Sequence, residues 1–314
     1  MKREPRPLRG YGLALLAALL WAFSGNLGKV VMDGEVQALT LAQGRTLVAA
    51  CGLGLYVWAR GDLRIRLASG TWLWIFVFGT FLGLVQFSYF AAIERIQVAP
   101  AILLEYLAPA LVVAFAWLFQ GRRASAGTIA AVITALLGCA LVVRAFDPDF
   151  LELSLPGIGF GLMAALTFAA YILVGEHLQE EVPVAKRLFL GFGVALLVLL
   201  LLQPPWQLPA GVWQPGAVAG IVVVGLFGTL APFSAFMAAL GYLDAGRATT
   251  VSTMEPVFAG VIAFFWLGER LGPLQILGGL LVVAAVVVLQ KEERSRPDDP
   301  TLAVFDPETP ERSD

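Results

Sequence analysis

Ten apolar runs, each about 20 residues long, follow one another along the chain and restrict its fold more than any other feature. A run of this length crosses the hydrocarbon core of a bilayer as one α-helix. Because 59% of the 314 residues are hydrophobic and only 14% are charged, a water-soluble globular fold is excluded. The sequence predicts an all-α integral membrane protein with ten transmembrane helices, at residues 11–31, 38–58, 71–92, 100–119, 125–143, 157–175, 187–203, 217–241, 248–267 and 274–290.

Polar segments separate and flank these runs. Residues 144–156 carry acidic side chains and residues 203–216 carry four prolines, so both are predicted to be loops. The polar segment 291–314 contains prolines and too few apolar residues to fold, which predicts a disordered tail. The first run is long for the apolar segment of a cleaved signal peptide, so it is interpreted as a retained helix.

The distribution of basic residues predicts the orientation. With the N-terminus in the cytoplasm, 16 of the 21 Lys and Arg residues lie in cytoplasmic segments, and only Arg95, Arg144 and Arg270 lie on the opposite side. Positive charges near short loops resist translocation, so this asymmetry predicts a multi-pass protein of the cell (inner or cytoplasmic) membrane with both termini in the cytoplasm.

A constant shift of 147 residues aligns the two halves without a gap. It superimposes glycines, helix starts and one proline within a span: Gly10 on Gly157, Leu15 on Leu162, Pro109 on Pro256 and Gly121 on Gly268. Shared membrane composition is the alternative explanation. Each half has five spans, an odd number, so the second half enters the membrane from the opposite side, as in the inverted repeats of secondary transporters. The predicted organisation is an N-terminal tail 1–9, a first repeat 10–145, an external linker 146–156, a second repeat 157–290 and a C-terminal cytoplasmic tail 291–314.

The motifs of both halves resemble those of a known family. The segment from Leu20 to Asn26 resembles the opening helix of EamA-type members of the drug/metabolite transporter superfamily, and so does Arg45 in the second span. Each half also carries a small-residue helix end, a span with a proline and a terminal glycine. These are Tyr89-Phe90-Ala91-Ala92, Pro109 and Gly121-Arg122-Arg123 in the first half, and Phe236-Met237-Ala238-Ala239, Glu255-Pro256 and Gly268-Glu269-Arg270 in the second.

This resemblance covers nearly the whole chain between Gly10 and Gln290. It implies a carrier of small metabolites with ten helices in two inverted five-helix repeats, and often an exporter of amino acids or related compounds. The first repeat has Gly121-Arg122-Arg123 in place of the family's Gly-Glu-Arg, so a role tied to that glutamate does not transfer to it.

Three charged side chains lie away from the ends of the predicted spans: Arg45, Glu105 and Glu255. A charge at the centre of a span costs roughly 2.5–3.5 kcal/mol, so such residues are candidates for function. Glu105 lies one turn before Pro109 and Glu255 directly before Pro256, two prolines that predict kinks or hinges. Burial favours the neutral form of a carboxyl group, so proton coupling through either glutamate is a hypothesis. Alternatively, the glutamates form hydrogen bonds to backbone groups that the prolines leave without a partner. The alternative for Arg45 is that its side chain extends to the membrane–water interface.

Further polar and aromatic side chains in the spans are candidates for lining a substrate cavity. These are Trp21, Asn26, Gln86, Tyr89, Tyr106, Tyr171 and Ser252, with Gln86 and Tyr89 on one helical face. The alternative is structural: serine bonds to its own helix, and aromatic residues at span ends anchor at the membrane interface.

The residue inventory favours a transporter over other functions. The single histidine, in a polar loop, and the two cysteines, inside apolar runs, cannot build a metal centre, so no cofactor is predicted. The sequence has no Walker-type loop, so ATP is not a predicted substrate. The net charge of −2 argues against nucleic acid as a partner. The spans contain no Asp or His for intramembrane catalysis, and no repeated filter or charged ring for a channel. The predicted partners are membrane lipid, protons and a small neutral or zwitterionic substrate. A channel or receptor without coupled transport is the alternative.

Overall fold

The computed structural model of the chain describes residues 7–33, 36–61, 67–96, 98–121, 124–147, 154–267 and 272–295. Within these ranges every regular element is helical and no β-strand occurs. Seven helical segments have both the length and the apolar composition needed to cross a membrane. The predicted all-α membrane protein is therefore confirmed at this level. The predicted Gly268-Glu269-Arg270 motif and the tail beyond residue 295 lie outside the described residues.

Helices occupy each of the ten apolar runs. The first half contains α1 (Pro7–Asp33), α2 (Ala38–Ala59), α3 (Ser69–Ile96), α4 (Val98–Glu105), α5 (Ala108–Gln120) and α6 (Ala126–Val142). The second half contains α7 (Leu155–His177), α8 (Val184–Leu202), α9 (Pro215–Gly225), a π-helical turn (Leu226–Leu230), α10 (Ala231–Ala239), α11 (Ala245–Ser252), α12 (Glu255–Leu267) and α13 (Pro273–Ser295). Since α13 continues to Ser295 through Lys-Glu-Glu-Arg, which are good helix formers, the start of the predicted tail at residue 291 is too early.

Capping side chains define the start of three helices. Ser125, Ser154 and Asp244 precede α6, α7 and α11, and each accepts a hydrogen bond from a backbone N–H in the first turn, at 3.0–3.2 Å. These bonds satisfy donors that have no partner inside the helix. The helix starts are therefore determined locally, by residues that the sequence places just before an apolar run.

Two spans are interrupted in the middle rather than kinked. The helix α4 ends at Glu105 and α5 begins at Ala108, while α11 ends at Ser252 and α12 begins at Glu255. Pro109 and Pro256 are the second residues of α5 and α12, where a missing N–H costs nothing. Each predicted hinge is thus a complete break of the helix with a two-residue turn.

The breaks occur at equivalent positions of the two halves. Adding 147 to the bounds of α4 and α5 reproduces the bounds of α11 and α12 at all four ends. The equivalent helices α6 and α13 pack directly against each other and run antiparallel. Gln275 near the start of α13 donates to the carbonyl of Val142 at the end of α6 (3.1 Å), while Ala285 packs on Ala131 and Ala135 further back along α6.

Candidate functional site

A cavity within the helix bundle brings together three charged side chains of the spans: Arg45, Glu105 and Glu255. The centres of water-sized spheres can occupy about 40 Å³ of it, so it holds a few water molecules in this conformation. Its walls come from α1, α2, α3, α4, α7, α10, α11, α12 and the turn after α4. The lining residues are Trp21, Ser24, Gly25, Arg45, Val85, Gln86, Tyr89, Glu105, Tyr106, Phe168, Phe233, Ser252 and Glu255.

Glu255 and Tyr106 form a hydrogen-bonded pair across the two helix breaks. The Tyr106 hydroxyl lies 2.7 Å from a carboxyl oxygen of Glu255 and 3.0 Å from the backbone carbonyl of Ser252. That carbonyl belongs to the last residue of α11, where no helical N–H follows to satisfy it. The first break thus supplies the donor, and the second supplies both acceptors.

Glu105 is the last residue of α4 and is half-buried at the cavity wall. It lies within electrostatic range of Arg45 and Glu255, but no hydrogen bond to its carboxylate occurs within the described parts of the chain. The two glutamates therefore differ: Tyr106 fixes the Glu255 carboxyl in place, while the Glu105 carboxylate is available to a ligand.

Arg45 is only 3% exposed and binds the π-helical turn of the opposite half. Its Nε donates to the Thr229 hydroxyl at 2.5 Å and its Nη2 to the carbonyl of Gly228, while the ring of Phe90 lies 4.8 Å from the guanidinium carbon. The carbonyl of Gly228 is free to accept from Arg45 because the residue four positions later, Pro232, has no N–H to donate to it. The Nη1 donors of Arg45 remain without a partner in the described structure.

The third helix adds polar groups with unused hydrogen-bonding capacity. Gln86 donates to the Thr46 hydroxyl at 3.0 Å, but its own side-chain oxygen and the hydroxyl of Tyr89 have no partner among the described residues. A Cβ at position 25 would lie 2.9 Å from the Tyr89 hydroxyl, so glycine there makes room for the tyrosine. Both unused groups face the cavity, where a bound molecule can satisfy them.

Aromatic rings form part of the cavity wall. Trp21 packs edge-to-face on Phe168 and Phe233, with ring centres 5.8 and 5.3 Å apart. Further rings continue this contact into the bundle. We call the set the aromatic layer; it consists of Trp21, Phe78, Phe168, Tyr171, Phe192, Phe233 and Phe236.

Eight of the ten side chains predicted for the site line the cavity: Trp21, Arg45, Gln86, Tyr89, Glu105, Tyr106, Ser252 and Glu255. Asn26 does not, because it lies on an exposed face of α1 and donates to the carbonyl of Ala22 in the preceding turn. Tyr171 does not line it either, since its ring is fully buried in the aromatic layer. Whether the eight residues bind substrate stays a prediction.

Sequence reasoning missed two aromatic residues of the cavity wall and one buried arginine outside the cavity. Phe168 and Phe233 are the equivalents of Trp21 and Gln86 under the 147-residue shift, so the repeat itself could have identified them. Arg187 was assigned to a cytoplasmic segment, whereas it is the fourth residue of α8 and fully buried. Its position at the edge of an apolar run does not distinguish a buried side chain from a solvated one.

Comparisons with known proteins agree with this architecture. The EamA-like transporter family matches the chain twice, at residues 8–144 and 155–290. An uncharacterized transporter of Archaeoglobus fulgidus is 30% identical over 68% of this chain and 77% of its own length, and the uncharacterized transporter YwfM of Bacillus subtilis is 27% identical over 88% and 94%. The threonine/homoserine exporter RhtA of Escherichia coli is 29% identical over 71% and 72%.

The fold is also similar to a known one. A crystal structure that is 20% identical in sequence superimposes with a TM-score of 0.73 over 91% of this chain and 98% of its own. Together with the two family matches, which cover most of the sequence, this identifies the protein as a multi-pass membrane protein. The chain belongs to the EamA-like transporter family.

Proposed function

We propose that the protein is a secondary active transporter that exports amino acids or related zwitterionic metabolites by alternating access, coupled to protons. The observation that carries this proposal is the central cavity, which combines one guanidinium, two carboxyl groups and an aromatic wall. A zwitterion needs both signs of charge within a few ångströms, and a cavity with this set of groups supplies them.

The hydrogen bonds that Arg45 and Glu105 leave unused suggest which charged group of the substrate each residue binds. Arg45 is held in place by the π-helical turn, yet keeps its Nη1 donors for a substrate carboxylate. Glu105 has no hydrogen-bond partner among the described residues and suits a substrate ammonium group. The apolar part of the substrate then lies against Trp21, Phe168 and Phe233.

Proton coupling is proposed through Glu255. The Tyr106 hydroxyl has one proton but two acceptors within reach, the Glu255 carboxyl oxygen and the Ser252 carbonyl. Both contacts are satisfied when Glu255 carries a proton and donates to the tyrosine oxygen, which then donates to Ser252. Loss of that proton leaves one acceptor unsatisfied, which favours a rearrangement at the two helix breaks.

We further propose ten transmembrane helices in two inverted repeats, residues 10–145 and 157–290, with an external linker 146–156. The tails 1–9 and 291–314 are then cytoplasmic, in agreement with the distribution of basic residues. The double family match and the antiparallel packing of the equivalent helices α6 and α13 support this organisation. The relative RhtA is a threonine/homoserine exporter, which supports the proposed substrate class and direction.

Transport into proteoliposomes tests the proposal. We expect saturable uptake of labelled L-threonine or L-homoserine, stimulated by a proton gradient, and exchange of internal against external substrate. In Glu255→Gln the gradient should no longer stimulate uptake while exchange continues; in Glu105→Gln both should fall at least tenfold. Glu180→Gln, an exposed carboxylate in the turn after α7, is the matched control and should behave as the wild type.

The alternatives give different results. A channel would show flux that does not saturate and no exchange against internal substrate. A receptor would bind amino acids without moving them. Uptake that a proton gradient still stimulates in both glutamine variants would end the coupling hypothesis, and transport restricted to molecules without a charge would end the zwitterion assignment.

A further inference from the structure

A second buried arginine lies outside the central cavity. Arg187 is the fourth residue of α8 and is fully buried. Its Nη1 donates to the carbonyl of Gly175 near the end of α7, at 2.6 Å. A cation near the C-terminal end of a helix stabilises the carbonyls there, so this single bond is a structural contact.

The rest of the guanidinium has no structural partner. Its Nε and Nη2 are buried, and neither makes a hydrogen bond within the described chain. These two nitrogens form one edge of the guanidinium, whose parallel N–H groups match the two oxygens of a carboxylate. Over the described residues no carboxylate forms an ion pair with Arg187. Leaving a buried charged donor unsatisfied is costly, so an edge with two such donors points to a ligand.

A second unsatisfied group lies on the same helix as the Gly175 carbonyl that binds Arg187. The buried hydroxyl of Tyr171 has no hydrogen-bond partner among the described residues, and Tyr171 interacts electrostatically with Arg187. Tyr171 and Gly175 are four residues apart, on one face of α7. The two side chains together therefore offer a third donor to an anion held by the guanidinium edge.

The pair lies along a line that starts at the central cavity. Phe168 lines the cavity, Tyr171 is one turn further along α7, and the carbonyl of Gly175 that binds Arg187 is another turn on. At 1.5 Å per residue, the distance from Phe168 to Gly175 along the helix is about 10 Å. Tyr171 is itself part of the aromatic layer, and its ring contacts Phe168 and Phe233 of the cavity wall, so these rings lie between its hydroxyl and the cavity in this conformation.

We propose that Arg187 and Tyr171 form a second carboxylate-binding site, which a substrate entering from the cytoplasmic side occupies before it passes the aromatic layer. The inference rests on the proposed function for its role in export, because the end of α7 is cytoplasmic only in the proposed orientation. The site itself requires only a small carboxylate and an opening between α7 and α8.

Acetate binding to the purified full-length protein in detergent tests the site without transport. We expect sodium acetate to raise the midpoint of thermal unfolding saturably, by about 2–4 °C at ten times the dissociation constant, and sodium chloride of equal concentration not to. The part of the rise that Arg187 contributes should be lost in Arg187→Gln. Tyr171→Phe keeps the ring but loses the hydroxyl. The acetate concentration that gives half of the effect should then increase about fivefold, as expected for the loss of one hydrogen bond.

Two further variants keep the test decisive. Arg187→Lys preserves the charge and the bond to α7 but not the bidentate edge, so it should fold and still need about tenfold more acetate. Arg45→Gln removes the guanidinium of the central cavity, where acetate also binds if Arg45 holds the substrate carboxylate, so it serves as the background for the comparison. Arg45→Gln alone should keep a saturable response, and the double variant with Arg187→Gln should lose it. If Arg45→Gln loses the response while Arg187→Gln keeps it, acetate binds only in the central cavity and the proposal is wrong.

The remaining outcomes are equally clear. The absence of a saturable effect on the wild type, or an equal effect of chloride, overturns the carboxylate site even if the protein transports amino acids. Conversely, acetate binding that depends on Arg187 stands if no amino acid is transported, in which case the proposed function fails and the site does not.

Discussion

The contact between α6 and α13 depends on two glycines, and an alanine at one of them should separate the helices. A Cβ at Gly138 would lie 2.7 Å from the carbonyl oxygen of Gly278 and 2.7 Å from a methyl carbon of Val282, whereas ordinary contact begins at 3.4 Å. The helices must therefore separate by about 0.7 Å, the difference between these two distances. Overpacking of this kind costs about 1–3 kcal/mol.

A second glycine isolates the packing effect. Replacing glycine by alanine within a helix also stabilises the helix, by about 1 kcal/mol. Gly159 lies in α7, and a Cβ there would meet nothing within 4 Å, so Gly159→Ala should show only this gain. The difference between Gly138→Ala and Gly159→Ala is then the overpacking cost alone, which corresponds to about 2–12 °C in the midpoint of thermal unfolding.

Thermal unfolding of the purified variants in detergent, followed by tryptophan fluorescence, measures this difference. Gly278→Ala should resemble Gly138→Ala, and the double variant should lose less than the sum of both, because the helices are already apart. If Gly138→Ala is as stable as Gly159→Ala, the close packing of the two helices and the distance argument are both refuted.

Three further changes test contacts that position the site. Gln43→Leu removes a side chain that donates to two carbonyls at the end of α8, at 2.9 and 2.7 Å, so hydrogen exchange there should become faster; unchanged exchange would contradict the cap. Thr229→Val leaves the Nε of Arg45 unsatisfied and should cost about 1–3 kcal/mol in unfolding, whereas Thr229→Ser should cost much less; equal losses would dismiss this bond. Trp21→Ala empties part of the aromatic layer and should cost about 3 kcal/mol, while Trp213→Ala, at an exposed position, should change stability little; similar losses would argue against the layer as a packed unit.

The architecture could be predicted largely from the sequence, because it depends on local properties. An apolar run of about 20 residues has one stable conformation in lipid, and a proline removes one N–H wherever it occurs. A helix in every apolar run follows from these rules, whereas the kinks predicted at Pro109 and Pro256 are complete breaks of the helix in the structure. The ionisable residues of the site could also be identified from the sequence, because charged side chains are rare within the spans.

The set of residues that line the cavity could not be predicted from these local rules alone. Helices that are apolar on nearly every side carry little information about which face is buried, so Asn26 and Tyr171 were as reasonable as Gln86 and Tyr89. The π-helical turn that binds Arg45 arises where Pro232 leaves a carbonyl free, and its partner comes from a helix more than 180 residues earlier in the chain.

The sequence by itself therefore determined a membrane protein of the EamA type, with a helix in each apolar run, two spans disturbed at a proline and a short set of ionisable candidates. Only the tertiary structure decided that Arg45, Glu105 and Glu255 share one cavity, that aromatic rings line part of it and that Arg187 is buried with an unused edge. The physical reason is that helix formation in lipid is decided within each segment, whereas burial and hydrogen bonding of a side chain depend on neighbours from distant segments.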